Sequence, residues 1–135
     1  MLKVLLIAVG GAFGSLLRYF FQGWVQRFTG DWAERLAGAT FPVGTLAVNT
    51  VACLAIGFLS GLFAGPHLIR EEYRIGLTIG VLGGFSTFST FGFESFNLAN
   101  DGEFGLALLN ILLSCGIGLV AVWIGYRVAE HWFGV

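Results

Sequence analysis

The chain has 135 residues, of which 56% are hydrophobic and 11% are charged, and its formal net charge is −1. Its mean hydropathy is +0.83, which excludes an ordinary soluble domain of typical composition. The composition indicates an all-α integral membrane protein.

Four apolar stretches each reach the roughly 20 residues that a helix needs to cross a bilayer. They cover residues 2–25, 42–65, 73–99 and 104–132. The first stretch runs on into Arg18 without a convincing cleavage site, so we interpret it as a membrane span and not as a signal peptide. The connection from Gln26 to Phe41 is predicted to form a short amphipathic turn at the surface. The sequence therefore predicts a single membrane domain, residues 1–135, with four transmembrane helices.

The basic residues outside the spans are divided unevenly between the two sides of the membrane. The N-terminal side has Lys3, Arg70, Arg74 and Arg127, and the other side has Arg27 and Arg35. This small difference favours a cytoplasmic N-terminus but leaves insertion in both orientations open. One thin four-helix bundle would expose most walls of an ion path to lipid, so we expect assembly. Glycines at helical spacing, such as Gly57 and Gly61, are predicted to be helix contacts.

The third stretch contains an unusual run at residues 83–91, GGFSTFSTF. Paired glycines weaken a helix, and hydroxyl side chains offer its backbone other partners. Irregular backbone survives inside a membrane only where protein or a wet cavity covers it. The run therefore predicts an interrupted helix that lines an ion site. The electropositive ring edges of Phe88 and Phe91 would suit a small anion, although simple packing is the alternative for these rings.

Other polar residues inside the spans have two interpretations each. Asn49 could donate to a permeating anion or bond a neighbouring helix, and the same choice applies to Asn110 and Ser114, which share a helix face. Arg18 could concentrate anions in a vestibule or reach the interface from the helix end. Glu94 could be a proton carrier or a residue at headgroup level.

Both cysteines, Cys53 and Cys115, stand alone within apolar segments. Neither has a second cysteine or a histidine at metal-binding spacing, which argues against a disulfide framework or a structural zinc site. We interpret them as packing residues.

Three segments in a fixed order carry a family resemblance: GGAFGSLLRY at 10–19, FPVGTLAVN at 41–49 and GGFSTFSTF at 83–91. On these segments the chain resembles the bacterial fluoride channel family, the Fluc or CrcB proteins, over essentially its whole length. The resemblance implies a passive, fluoride-selective channel without enzyme activity, which exports cytoplasmic fluoride and relieves its toxicity. It also implies a multi-pass protein of the bacterial inner membrane that binds fluoride, lipid and a second copy of itself, and no nucleic acid.

The resemblance further implies an antiparallel, dual-topology homodimer with two pores and a structural Na⁺ at its centre. It assigns the phenylalanine pair of the pore to Phe88 and Phe91, the pore asparagine to Asn49 and the vestibule arginine to Arg18. The hydroxyls near the phenylalanines correspond to Ser89 and Thr90, and the polar residues of the fourth span to Asn110 and Ser114. The backbone carbonyls of Gly83 and Ser86 would bind the Na⁺. Asn110 stands where relatives often have tyrosine.

Two other functions remain open at this point. A proton-coupled small multidrug-type exporter could share four spans and a weak charge bias, but it needs a membrane carboxylate, and Glu94 is poorly placed for that role. A non-transporting membrane subunit could use the same polar residues only to hold helices together.

Overall fold

The computed structural model describes residues 1–37, 40–65 and 69–134. Within these ranges, four helical segments are long and apolar enough to cross a membrane. They are α1 (Leu2–Ala37), α2 (Val43–Ala64), a third span over Glu71–Asn100, and α5 (Phe104–Phe133). The prediction of an all-helical protein with four spans and an interrupted third helix is confirmed.

The third span consists of two halves that meet at the break. The first half, α3, covers residues 71–85 and combines an α-helix Glu71–Ile75, a π-helix Gly76–Leu82 and one α-helical turn Gly83–Phe85. The second half is the helix α4, Phe88–Asn100. Between them the backbone is extended, with φ −77° and ψ 157° at Ser86 and φ −149° and ψ 109° at Thr87.

The paired glycines of the third span lie before the break and not in it. Gly83 keeps helical angles, φ −64° and ψ −35°. A β-carbon at Gly84 would lie 2.5 Å from the carbonyl oxygen of Gly11, and one at Gly14 would overlap the carbonyl oxygen of Val81. These glycines therefore let α1 and α3 pack backbone to backbone, and the hydroxyl-rich residues after them interrupt the helix.

Helix α1 is longer than the predicted first span and passes through the predicted turn. The chain does not turn at Thr29, which stays helical while its hydroxyl donates to the carbonyl of Val25 in the same helix at 2.7 Å. Gln26 instead stabilises the start of α2, since its Oε1 accepts from the amide of Gly44 at 3.1 Å. Residues 38–39 and 66–68, which fall within the first two predicted connections, lie outside the described residues.

Glycines also bring α2 and α5 together, and these two helices form the most extensive helix pair. A β-carbon at Gly57 would overlap the backbone of Val122, and one at Gly61 would lie 2.7 Å from the β-carbon of Ala129. Helices in lipid associate through close approach of this kind, because burial of apolar surface contributes little to their association there. The predicted helix contact at Gly57 and Gly61 is confirmed.

Candidate functional site

The break in the third span is held by one side chain of α2. Asn49 Nδ2 donates to the carbonyl of Thr87 at 3.2 Å, and the amide of Thr87 donates to Asn49 Oδ1 at 3.0 Å. Both backbone groups of Thr87 are thereby satisfied although the residue is only 6% exposed. Since unpaired backbone groups are costly inside a membrane, Asn49 stabilises the extended backbone at the break.

The same threonine also begins the next helix. Thr87 Oγ1 accepts from the amide of Thr90 at 3.2 Å, which makes Thr87 the N-cap of α4. Its hydroxyl lies 2.8 Å from that of Thr90 and 3.4 Å from that of Ser89. The predicted site residues Ser89 and Thr90 therefore belong to a hydroxyl cluster at the start of α4.

A cavity of about 370 Å³ opens beside the break. Its wall includes several predicted site residues and the break itself: Asn49, Gly83, Ser86, Thr87, Phe88, Phe91 and Ser114. Phe88 is 83% exposed, and its ring lies 5.5 Å from that of Phe91, centroid to centroid, at an interplanar angle of 48°. The structure thus brings residues from three spans to one cavity.

Of the two predicted polar residues on α5, Ser114 reaches this cavity and Asn110 does not line it. Asn110 is 1% exposed, and its Nδ2 donates to the hydroxyl of Ser95 at 2.9 Å. Ser95 in turn donates to the carbonyl of Phe91 at 2.8 Å. Asn110 therefore links α5 to α4 through Ser95, one helical turn after Phe91. The hydroxyl of Ser114 contacts Asn110 Oδ1 only at a long 3.5 Å.

Arg18 lies on α1, the helix that packs against the third span at Gly14. Arg18 is four residues after Gly14, which packs against Val81, and four residues before Gln22. The three residues therefore share one face of α1. The side chain is half-buried, and within the described ranges it makes no hydrogen bond or ion pair. Arg18 does not line the cavity beside the break, and its role in a vestibule stays a prediction.

A hydrogen-bonded chain that the sequence analysis did not assign to the site links three spans beyond Arg18. Gln22 Nε2 donates to Thr45 Oγ1 at 3.0 Å, and Thr45 donates to Glu94 Oε1 at 2.7 Å. Glu94 Oε2 is buried without a partner among the described residues. Gln22 and Glu94 border a second cavity, of about 380 Å³, lined also by Asn97 and Asp101.

The members of this hydrogen-bonded chain could have been identified from helical spacing in the sequence. Gln22 follows Arg18 by four residues, Thr45 precedes Asn49 by four, and Glu94 follows Phe91 by three. Gln22, Thr45 and Glu94 therefore each lie one helical turn from a predicted site residue.

The carbonyls of Gly83 and Ser86 are suited to a hard cation. In an unbroken α-helix they would accept from the amides of Thr87 and Thr90, four residues on. Those amides instead donate to Asn49 Oδ1 and to Thr87 Oγ1. Backbone oxygens released in this way are the donors that Na⁺ takes at broken membrane helices.

Known proteins share sequence with this chain over nearly its whole length. Residues 5–126 match the family model described as CrcB-like protein, Camphor Resistance (CrcB). The chain belongs to the CrcB family. It is 45% identical to a protein of Geobacter metallireducens named fluoride-specific ion channel FluC, over 131 residues that cover 97% of this chain and 99% of that protein. A Geobacter sulfurreducens protein of the same name is 46% identical over 131 residues, with the same coverage of both chains.

A third relative, from Geotalea uraniireducens, has the same name and is 46% identical over 127 residues, which cover 94% of this chain and 96% of the relative. The resemblance deduced from the sequence motifs is confirmed. Membership in a family whose relatives are named as ion channels also confirms that the chain is not an enzyme. The roles of the individual residues stay predictions.

Proposed function

We propose that this CrcB protein is a passive, fluoride-selective channel that lets cytoplasmic fluoride leave the cell. One observation carries the proposal: in a chain with fluoride-channel relatives, the break in the third span opens on a cavity whose wall combines Asn49, Phe88, Phe91 and Ser114. Fluoride that enters a cell as HF dissociates there, so a selective outward leak relieves its toxicity.

The chemistry of the cavity wall favours a small anion over a cation. Its lining among the described residues contains no charged side chain. The rings of Phe88 and Phe91 offer electropositive edges. The Asn49 amide has two protons, of which one is donated to Thr87, so the other is available to an anion. The hydroxyl of Ser114 can rotate away from its long contact with Asn110 and donate to an anion. The ring edges, the Asn49 amide and this hydroxyl are each weak enough donors to release the ion again.

For the assembly, we propose an antiparallel, dual-topology homodimer with two pores in the bacterial inner membrane. The excess of basic residues on one side is small, four against two, which is consistent with insertion in both orientations. We assign a structural Na⁺ to the carbonyls of Gly83 and Ser86, whose helical donors are engaged elsewhere. Bound there, Na⁺ would supply positive charge to the released backbone oxygens of the break.

The proposal is tested with purified protein in liposomes loaded with potassium fluoride or potassium chloride. Valinomycin is added so that potassium balances the anion current, and release is followed with ion-selective electrodes. We expect rapid fluoride release and negligible chloride release. Equal rates for the two anions would overturn the assignment of fluoride selectivity. Release that depends on an imposed pH gradient would instead favour the proton-coupled exporter.

Two matched variants locate the pathway on α4. Phe88→Leu changes a ring on the cavity wall, whereas Phe93→Leu changes an exposed ring of the same helix that does not line the cavity. We expect Phe88→Leu to slow fluoride release by about tenfold or more, equivalent to about 1.4 kcal/mol, and Phe93→Leu to leave it unchanged. Both proteins must elute from size-exclusion chromatography like the parent. The same slowing in both variants would remove Phe88 from the pathway.

A further inference from the structure

The two free cysteines face the same cavity from different helices. Cys53 on α2 and Cys115 on α5 both lie on the wall of the 370 Å³ cavity beside the break. The Cys53 sulfur is adjacent to α5, because a β-carbon at Gly118 would lie 3.4 Å from it. Cys115 precedes Gly118 by three residues and so stands about one helical turn away on the same face, with about 5–6 Å between the two β-carbon positions.

The surroundings of the two thiols select for a soft ligand. The described lining of this cavity has hydroxyls and one amide besides the thiols but no carboxylate, so it offers nothing to neutralise a hard divalent cation. Thiols are soft donors and prefer soft, thiophilic metal ions. Cys115 is exposed and Cys53 is half-buried, so a small ion can reach both from the cavity.

We propose that Cys53 and Cys115 form a binding site for a soft metal ion of the Hg²⁺ class, and that its occupation blocks the fluoride path. Two S–H bonds break, two S–Hg bonds form and two protons leave to solvent, without any change in oxidation state. The block depends on the proposed fluoride pathway, because Phe88, Phe91 and Ser114 border the same space. The binding itself does not depend on that pathway.

The binding part is tested in detergent with mercuric nitrate on the parent protein and on Cys53→Ser, Cys115→Ser and the double variant. After gel filtration, bound mercury is measured by mass spectrometry and free thiols are counted in the denatured protein. We expect a mercury-to-protomer ratio of about one in the parent with both thiols consumed, and no bound mercury in the double variant. A ratio of about two in the parent would mean that each thiol binds separately and would overturn the shared site.

The block is tested by fluoride release from liposomes, with the double variant as the matched control. Mercuric ion should stop release by the parent, excess dithiothreitol should restore it, and the double variant should release fluoride at the same rate with and without mercury. Unchanged release by a parent protein that has bound mercury would overturn the block. A parent that releases no fluoride before mercury is added would overturn the proposed function, while the mercury ratio still decides the metal site.

Discussion

Replacing Asn49 with alanine tests whether its amide stabilises the break in the third span. The substitution removes both hydrogen bonds to Thr87, at 3.2 Å and 3.0 Å, and no other side chain is bonded to these two backbone groups among the described residues. We expect Asn49→Ala to lower the free energy of unfolding and to abolish fluoride release, because the extended backbone at Thr87 loses its partners.

The size of the effect follows from the burial of Thr87. Hydrogen bonds in membrane proteins contribute about 0.6 kcal/mol each on average, so two bonds give a lower estimate of about 1.2 kcal/mol. Thr87 is only 6% exposed, and a buried backbone group left without a partner costs about 1–3 kcal/mol. We therefore expect a loss of about 2 kcal/mol or more for Asn49→Ala.

Thr50→Val serves as the matched control on the same helix. The hydroxyl of Thr50 donates at 2.8 Å to the carbonyl of Leu46 within α2, so its loss breaks no contact between spans. We expect it to cost less than about 1 kcal/mol and to leave transport intact. Unfolding in detergent, followed by circular dichroism, gives the stabilities, and liposomes give the fluoride rates. Parent-like stability of Asn49→Ala would refute the stabilising role, and slow fluoride release in that variant would then leave direct contact with the anion as its only function.

Two further substitutions test the packing around the site. Gly14→Ala places a β-carbon over the carbonyl of Val81 and should destabilise the protein by about 1–3 kcal/mol. Gly23→Ala, with open space around it, should be neutral or stabilise the helix by up to about 1 kcal/mol in the same unfolding assay. Thr45→Val removes the hydroxyl that bonds Glu94 Oε1 and should cost about 1–3 kcal/mol; a neutral result would show that Glu94 does not need this donor.

The number of spans and the interruption of the third were predictable from the sequence because they depend on local properties. Apolar stretches of sufficient length give the spans, and the hydroxyl-rich run after Gly84 gives the break. The site of the break was less accurate, because the glycines are used for contact with α1, which is a tertiary requirement. The length of α1 was underestimated because Thr29 lies in a segment whose residue types are common in turns, whereas its hydroxyl donates within its own helix.

The candidate site was predictable in its members but not in its hydrogen bonding. Asn49 and Ser114 were selected as polar residues within apolar spans, and both reach the cavity. Single-sequence reasoning could not tell that Asn110 bonds Ser95 or that Thr87 is the partner of Asn49, because these pairs join different spans. Pairing between helices depends on their relative rotation, which no local pattern specifies.

The π-helix at Gly76–Leu82 has a consequence for how the third span tolerates changes in length. A π-helical turn holds one residue more than the α-helix around it. Deleting one residue there, for example Ile79, would let the segment close into regular α-helix while Gly83 and the residues after it keep their orientation. The same deletion in the α-helical α5 would rotate everything beyond it by about 100°. We therefore expect a one-residue deletion at the π-helix to disturb the fold less than a deletion elsewhere in the spans.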